Sequence, residues 1–528
     1  MLKKLIDQLK NPRKLLKEYW AFFLYAAFGI FWRFWNFRNS LYFIYDQGRD
    51  AVALEKIAHG HISLVGPTTG LGGLYLGPLW YYVSLPGFLI VRGNPYGMCL
   101  WMMTIACIAL PLYWYLAHRW FKKKFWAIIA AVLLAVIPGS LQASIFIWNP
   151  LLSVPLMLGV LLCFWKTRYP SEERWSRWWL GSGFFLLALT LQSEFAYAVF
   201  FMPVCFLAIP WIRQKKDWKD FVVAAGAVGV TLIPQALFEV LHRLIMTRSL
   251  LRSLADSSQS VSWSQLFAQR PQQLLDSTTE LLFGPGNATP LLNLLFVALI
   301  VLGYFGLWKT FRQRATKKTD YQQKFLWQLT ALFALIPYPF YLLWRGNHGY
   351  FFNYYITSHF IFLVPLVVLG LVQLFRFSGK NLLMKIVVAI LVVSVLAVFG
   401  ATSFRHWESS VGNPENNAGL AKMLAAVTRV YQWREEDKLD PWVVRIYTAN
   451  VYTEQYDYLF GWYAQRYHLP TPITVRNGNE TKWYVVVESR AHVIPVLFDP
   501  WYAAATKGGT KIREEQIGVL TLETWQKK

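Results

Sequence analysis

Apolar stretches of about 20 residues recur along the chain between short polar turns, the helix length that roughly 30 Å of hydrocarbon requires. The first runs from Tyr19 to Trp35, and the last from Ile386 to Ser403. The turns are of two kinds. Some are cationic, among them Arg119 to Lys124, Lys166–Arg168, Arg213 to Lys216, Lys309 to Lys324 and Arg376 to Lys385. Others, Ser144–Pro150 and Gln192–Glu194, contain no Lys or Arg. Cationic turns belong on the cytoplasmic side, so the alternation predicts about eleven spans, N-terminus in and C-terminus out.

The predicted organisation follows from that count. Residues 1–18 form a basic amphipathic segment on the cytoplasmic lipid surface, without the apolar core of a cleavable signal. Residues 19–403 hold the transmembrane bundle, with long outer segments at 36–95 and 239–289. Residues 404–528 form a small extracytoplasmic α/β domain, with a helix around Ala418–Trp433 and strands around Trp442–Thr448 and Trp483–Val487. The fold class is therefore mainly α: a polytopic helix bundle with juxtamembrane helices in its outer loops.

Composition agrees with this pattern. Of 528 residues, 55% are hydrophobic and 15% charged, against about 25% charged in ordinary soluble domains. The net charge of +23 suits either nucleic acid or an anionic membrane surface. Its confinement to turns between apolar spans selects the membrane and excludes nucleic acid. Cys99, Cys107, Cys163 and Cys205 all lie in apolar spans without CxxC spacing, so they read as packed hydrophobes rather than zinc ligands or a disulfide framework.

Candidate chemistry gathers at the outer rim. In the stretch from Tyr45 to Ile57, the apolar positions Ala51, Leu54 and Ile57 predict an amphipathic helix along the membrane, begun at or near Asp46. On it Asp46 and Asp50 share a face, with Arg49 beside both. The same residues equally fit an N-cap and its ion-pair partner. Glu194 is an acid at the lipid boundary without a neighbouring cation, and such residues tend to face the interior or a site. Beyond the seventh span, His242 and Arg243 are placed either to meet lipid headgroups or to hold a phosphate. Arg345 and His348, above the ninth span, carry the same two readings. Tyr452, Tyr456, Tyr458, Trp462, Tyr463 and Tyr467 make the outer domain rich in aromatics, fit for its core or for stacking on sugars.

After a Gly-rich loop from His61 to Gly77 comes Pro78-Leu79-Trp80-Tyr81-Tyr82. This segment, together with Asp46-Gln47-Gly48-Arg49-Asp50-Ala51, resembles the polyprenyl-phosphate-sugar glycosyltransferases of the GT-C fold. That group includes the protein O-mannosyltransferases and the lipid A aminoarabinose transferase. Their first outer loop carries an Asp-Glu motif, in one branch Asp-Glu-x-Arg-Tyr-Ala, followed by Pro-Leu-Tyr-Tyr-Trp. The resemblance implies transfer of a monosaccharide from a polyprenyl-phosphate carrier to a lipid, glycan or protein acceptor hydroxyl at the outer face of the plasma or inner membrane. It implies Asp46 as catalytic base and Asp50 or Glu194 as a second acid. Arg49, His242, Arg243, Arg345 and His348 would serve the donor phosphate, and Trp80, Tyr81 and Tyr82 would line the site.

Two departures qualify it. Gln47 stands where the family has its second acid, and Leu76-Gly77 replaces a Glu-Lys pair that some members carry. Asp50 then substitutes for the missing acid, or one acid suffices; the loss of Glu-Lys weakens the case for a divalent metal. No cofactor is required, because a phosphate leaves without a proton and one carboxylate can take the proton of the attacking hydroxyl with inversion. A transporter or lipid flippase is the competing class, and would need charged or broken helices near the midplane.

Overall fold

The computed structural model describes residues 12–528 apart from 36, 71, 256–260, 285, 287–288, 347–348, 380, 413–418, 449–451, 476–478 and 489–493. Each of the eleven predicted passages is helical. Among the described residues, seven helices are long and apolar enough to cross a bilayer, or eight if the bent pair Lys124–Val136 and Pro138–Ile145 is one span. The remaining three passages fall short for visible reasons. The first helix, Pro12–Phe34, breaks at Tyr19 and so splits its basic start from its apolar part. Trp175–Ser193 carries Arg177 and Gln192 among its apolar residues. The sixth passage is three short helices, Phe195–Ala198, Phe201–Leu207 and Ile209–Arg213, in a stretch that contains Pro203 and Pro210, each lacking an amide hydrogen.

The turns sort to two ends of the bundle as the charge alternation predicts. At the basic end, Lys122 pairs with Asp320 at 2.8 Å, Trp120 donates to Thr330, and Arg177 binds Asp220 at 2.8 Å. At the other end, the Asn149 amide donates to the Ser193 carbonyl at 2.6 Å, and the Tyr341 hydroxyl donates to the Ala196 carbonyl at 2.7 Å. The main core lies between these ends, where Phe164, Leu187, Phe333 and Phe362 are fully buried.

Above the second end stand the juxtamembrane helices Tyr45–Ala58, Ile245–Ala255 and Trp263–Phe283. Packed on Tyr45–Ala58 through helix Glu454–Tyr467 is a unit with a four-stranded sheet: β1 (Val444–Tyr447), β2 (Lys482–Glu488), β3 (Gly509–Ile517) and β4 (Leu520–Lys527), in the order β1-β2-β4-β3. β1 runs parallel to β2, and the other two pairings are antiparallel. A parallel neighbour needs a crossover, and helix Glu454–Tyr467 lies within it. The expected helix and two strands are present; Glu454–Tyr467, Pro495–Thr506, β3 and β4 are additions.

The expected junction at 403/404 falls inside one 31-residue helix, Leu382–Gly412. The C-terminal unit buries Val443, Tyr447, Trp483, Val485 and Val487 in a cluster of its own, but its other core is shared. Leu420, Val427, Tyr456 and Leu459 bury in one cluster with Phe43, Leu54 and Trp80 of the first long loop and Met98 just beyond it. Gly48 shows how close the contact is: a Cβ there would meet the Gln455 backbone at 2.3 Å. Tyr456 and Tyr458 are core residues, while Tyr452 and Tyr467 remain exposed.

Candidate active site

The loop helix starts at Tyr45, one residue before the predicted Asp46 start, so Asp46 sits in its first turn rather than at the cap. The capping contact comes from Gln47, whose Oε1 accepts from the Ile44 amide at 2.9 Å. Its amide nitrogen donates to the Ile147 carbonyl at 2.7 Å. That pair of bonds accounts for Gln47 in physical terms. A carboxylate could accept from Ile44 but could not donate to Ile147, and Gln47 is buried. A carboxylate buried there would also carry an uncompensated charge.

Arg49 stands between the two acids. Its Nη1 lies 2.9 Å from Asp46 Oδ1. Its Nε and Nη2 reach Asp50 Oδ1 at 3.0 and 2.8 Å. The Trp80 indole donates to Asp50 Oδ2 at 2.6 Å, and the Tyr81 hydroxyl lies beside the same pair. Both Asp50 oxygens are thus occupied, and the residue is 2% exposed. Asp46, by contrast, keeps a quarter of its side chain open and, among the described residues, only Arg49 bonds its carboxylate.

Electrostatics follow burial. Desolvation pushes the Asp46 carboxyl above the ordinary range, against the pull of Arg49. Desolvation likewise pushes Asp50 up to about 6, again opposed by Arg49. For Arg49 burial works against the cation, but Asp50 and Asp46 outweigh it and hold the guanidinium charged.

Aromatic side chains wall the space next to Asp46. Tyr42 packs on Phe146 and Trp148 on Tyr354, with ring centroids 5.6 and 5.2 Å apart. Tyr452 of the C-terminal unit packs on Tyr45 at 4.5 Å. Tyr354 is electrostatically within reach of both Asp46 and Glu194. Glu194 is 6% exposed and, among the described residues, has no cation within ion-pair distance. Tyr354 packs on Tyr355 at 4.7 Å, and Tyr355 stacks on Tyr341 at 5.6 Å.

At the far side of that wall is a residue the sequence reading passed over. Arg270, on helix Trp263–Phe283, is fully buried and lies within electrostatic reach of Tyr341 and Tyr355. Its Nη2 donates to the Gly349 carbonyl at 3.3 Å, and its guanidinium lies 5.6 Å from the Phe351 ring centroid. Among the described residues, its Nε and Nη1 have no hydrogen-bond partner. Further along the same helix, Pro271, Leu274 and Leu275 line an apolar groove of about 300 Å³ that continues past Phe296, Ile300 and Leu366.

The other predicted cations are placed differently. The His242 ring stacks on Phe238 and its Nδ1 contacts that residue's carbonyl. Arg243 is exposed with a left-handed backbone, and among the described residues its side chain makes no hydrogen bond or ion pair. Arg345 donates to the Val261 carbonyl at 2.7 Å and covers the Trp263 ring, fastening the start of Trp263–Phe283. His348 lies outside the described residues. Tyr82 is exposed and donates to the Ser63 carbonyl, bracing the loop. That loop is a hairpin, with Thr68 bridged to Tyr75. Among the described residues no group of three His, Cys, Asp or Glu is arranged to hold a metal.

No protein-family profile and no curated protein matches the sequence. Solved structures do match. ArnT from Cupriavidus metallidurans in the apo state aligns over 95% of this chain and 97% of its own, with a TM-score of 0.56 at 14% identity. The same protein bound to undecaprenyl phosphate aligns over the same shares, with 0.57 at 13%. The chain has the GT-C fold. In GT-C terms it is a polytopic helical bundle with a small C-terminal sheet, as the pattern of apolar spans predicts.

Proposed function

We propose that this protein is an inverting glycosyltransferase that moves a monosaccharide from a polyprenyl-phosphate carrier to an acceptor hydroxyl. The observation that carries the reading is Arg270: a buried guanidinium with two nitrogens unpartnered among the described residues, on a helix whose following residues line an apolar groove. A buried cation without an anion is costly, and the arrangement suits a ligand that brings a phosphate on an apolar tail. Guanidinium matches phosphate in charge and planar geometry. The ArnT structure bound to undecaprenyl phosphate supports that choice of carrier.

Asp46 is the base. Its open oxygen accepts the proton of the acceptor hydroxyl as that oxygen bonds the anomeric carbon and the carbon–phosphate-oxygen bond breaks. The carrier phosphate departs as an anion, stabilised by Arg270, so no general acid is needed. Attack from the face opposite the leaving group inverts the anomeric centre. Arg49, spent on two carboxylates, positions Asp46 rather than binding the donor phosphate. Asp50, saturated by Arg49 and Trp80, holds Arg49. Glu194 remains as a second acid, facing the sugar from the tyrosine wall. The reaction requires no cofactor from this site. The positive-inside rule supports a cytoplasmic basic end, with the site on the extracytoplasmic face of the cell membrane.

Mass spectrometry of lipid extracted from the purified protein tests the carrier. Polyprenyl phosphate, free or glycosylated, should co-purify with the wild type and fall away in Arg270→Gln. Its absence from wild type, or equal amounts in both, would sink the assignment.

A further inference from the structure

The basic end of the bundle holds a second pocket, independent of the sugar-transfer reading. The turn 121–124, the end of helix Pro290–Arg312, the start of helix Lys318–Leu335 and the end of helix Phe360–Phe377 surround a cavity of about 270 Å³. Five cations line it, Lys122, Lys123, Arg314, Lys324 and Arg376, against the single carboxylate of Asp320. Lys122 is taken by Asp320, and Lys324 donates to the Phe311 carbonyl at 3.2 Å. Among the described residues, Lys123, Arg314 and Arg376 have no carboxylate and no aromatic face.

Neighbouring cations that do not line the cavity are settled otherwise. Arg312 lies 4.0 Å above the Trp308 ring, and Lys309 lies between Phe305 and Phe377 at 4.6 and 4.9 Å. A charge bias that only orients the protein has no need to converge on one cavity, where like charges repel. The floor is apolar: Trp126, Trp327, Leu369, Val372 and Phe375. Phe125 and Phe375 carry this apolar surface to the exterior of the bundle.

We propose that this cavity binds the phosphate headgroup of an anionic membrane phospholipid, with Lys123, Arg314 and Arg376 on the phosphate and an acyl chain along Trp126 and Phe375. Basic pockets between transmembrane helices recognise such headgroups by this combination of charge and apolar wall. A soluble phosphate shares the charge chemistry but leaves the aromatic floor unused.

Native mass spectrometry of the whole protein from mixed micelles of phosphatidylglycerol and phosphatidylethanolamine reads the site. Wild type should retain phosphatidylglycerol over the zwitterionic lipid. The triple variant Lys123→Gln/Arg314→Gln/Arg376→Gln should lose that preference by at least about tenfold, given the attraction that each cation adds near anionic lipid. The triple Arg174→Gln/Lys215→Gln/Lys216→Gln, at the same end but outside the cavity, should keep it. Equal retention in wild type and the cavity triple, or equal loss in both triples, overturns the site in favour of diffuse charge. Displacement of the lipid by glycerol 3-phosphate at comparable concentration overturns the lipid assignment. If the cavity triple does not fold, Arg376→Gln alone, at an exposed position, is read by the same ratio, and an unchanged ratio counts against the site.

Discussion

The loop helix around Arg49 and the wall around Arg270 are both regions where an arginine is buried near the same end of the bundle. Around Arg49 every demand is met: two carboxylates take its charge, Trp80 completes Asp50, and Gln47 ties the helix to Ile147. Around Arg270 the demands are left open, with one long bond to a carbonyl and two nitrogens without partners among the described residues. A satisfied buried network rigidifies and positions, whereas an unsatisfied buried charge is destabilising until a ligand completes it. The first region therefore holds the reacting carboxylate in place, and the second waits for an anion.

The largest effect that would break this division is loss of the base. Asp46→Asn should lower transfer by about 10²–10⁴-fold, the usual contribution of base catalysis. Binding of the polyprenyl-phosphate donor should survive. Transfer and donor binding measured on folded protein check it, with Asp50→Asn alongside. Near-normal transfer by Asp46→Asn together with loss in Asp50→Asn would move the base along the helix, despite both Asp50 oxygens being occupied.

Next in size is the open region. Arg270→Gln should weaken binding of polyprenyl phosphate by about 2–5 kcal/mol, the cost of deleting one side of a buried charged contact. The ligand-free protein should not lose stability, because no native ion pair is broken. A fall in its melting temperature without a fall in affinity would make Arg270 a structural residue and remove the contrast with Arg49.

A smaller effect comes from the satisfied region. Gln47→Glu supplies the acid that the resembling family carries, yet it deletes the donor to Ile147 and buries a charge. A lost buried hydrogen bond with an orphaned acceptor costs about 1–3 kcal/mol, so the variant should melt earlier and gain no activity. Higher activity would show that position 47 belongs to the chemistry.

These contrasts also explain what could be read from sequence alone. The alternation of basic and uncharged turns carried the bundle, because lipid leaves the backbone few alternatives to a helix. Asp46, Arg49 and Asp50 were legible because one amphipathic turn brings them together. Arg270 was not. In sequence it is one cation in a polar helix, and only packing against Gly349, Phe351 and the tyrosines buries it. Strand β3 was missed for a related reason. It is an edge strand carrying Lys511, Arg513, Glu514 and Glu515 and is half exposed, and such charges guard edges while erasing the apolar pattern. The placement of the C-terminal unit was hidden too, since one of its two hydrophobic clusters is shared with a loop some 370 residues earlier, as Tyr458 bonding to Gly93 shows with a separation of 365.

The finest test concerns how Arg49 tunes Asp46. Burial raises the Asp46 carboxyl and Arg49 opposes the rise, so removing the guanidinium lets it climb further. A base works only when ionised. The acid limb of kcat/KM should therefore lie above the ordinary aspartate range of about 4 in wild type, with activity lost as pH falls through it. In Arg49→Gln that limb should move to higher pH, whereas Arg49→Lys, which keeps the charge but not the planar fork, should move it less. Arg49 also holds Asp50, so the limb is measured again in the Asp50→Asn background. A limb that persists there and still shifts with Arg49→Gln belongs to Asp46. A limb that vanishes with Asp50→Asn belongs to Asp50, and the positioning role assigned to Arg49 would then pass to its other partner.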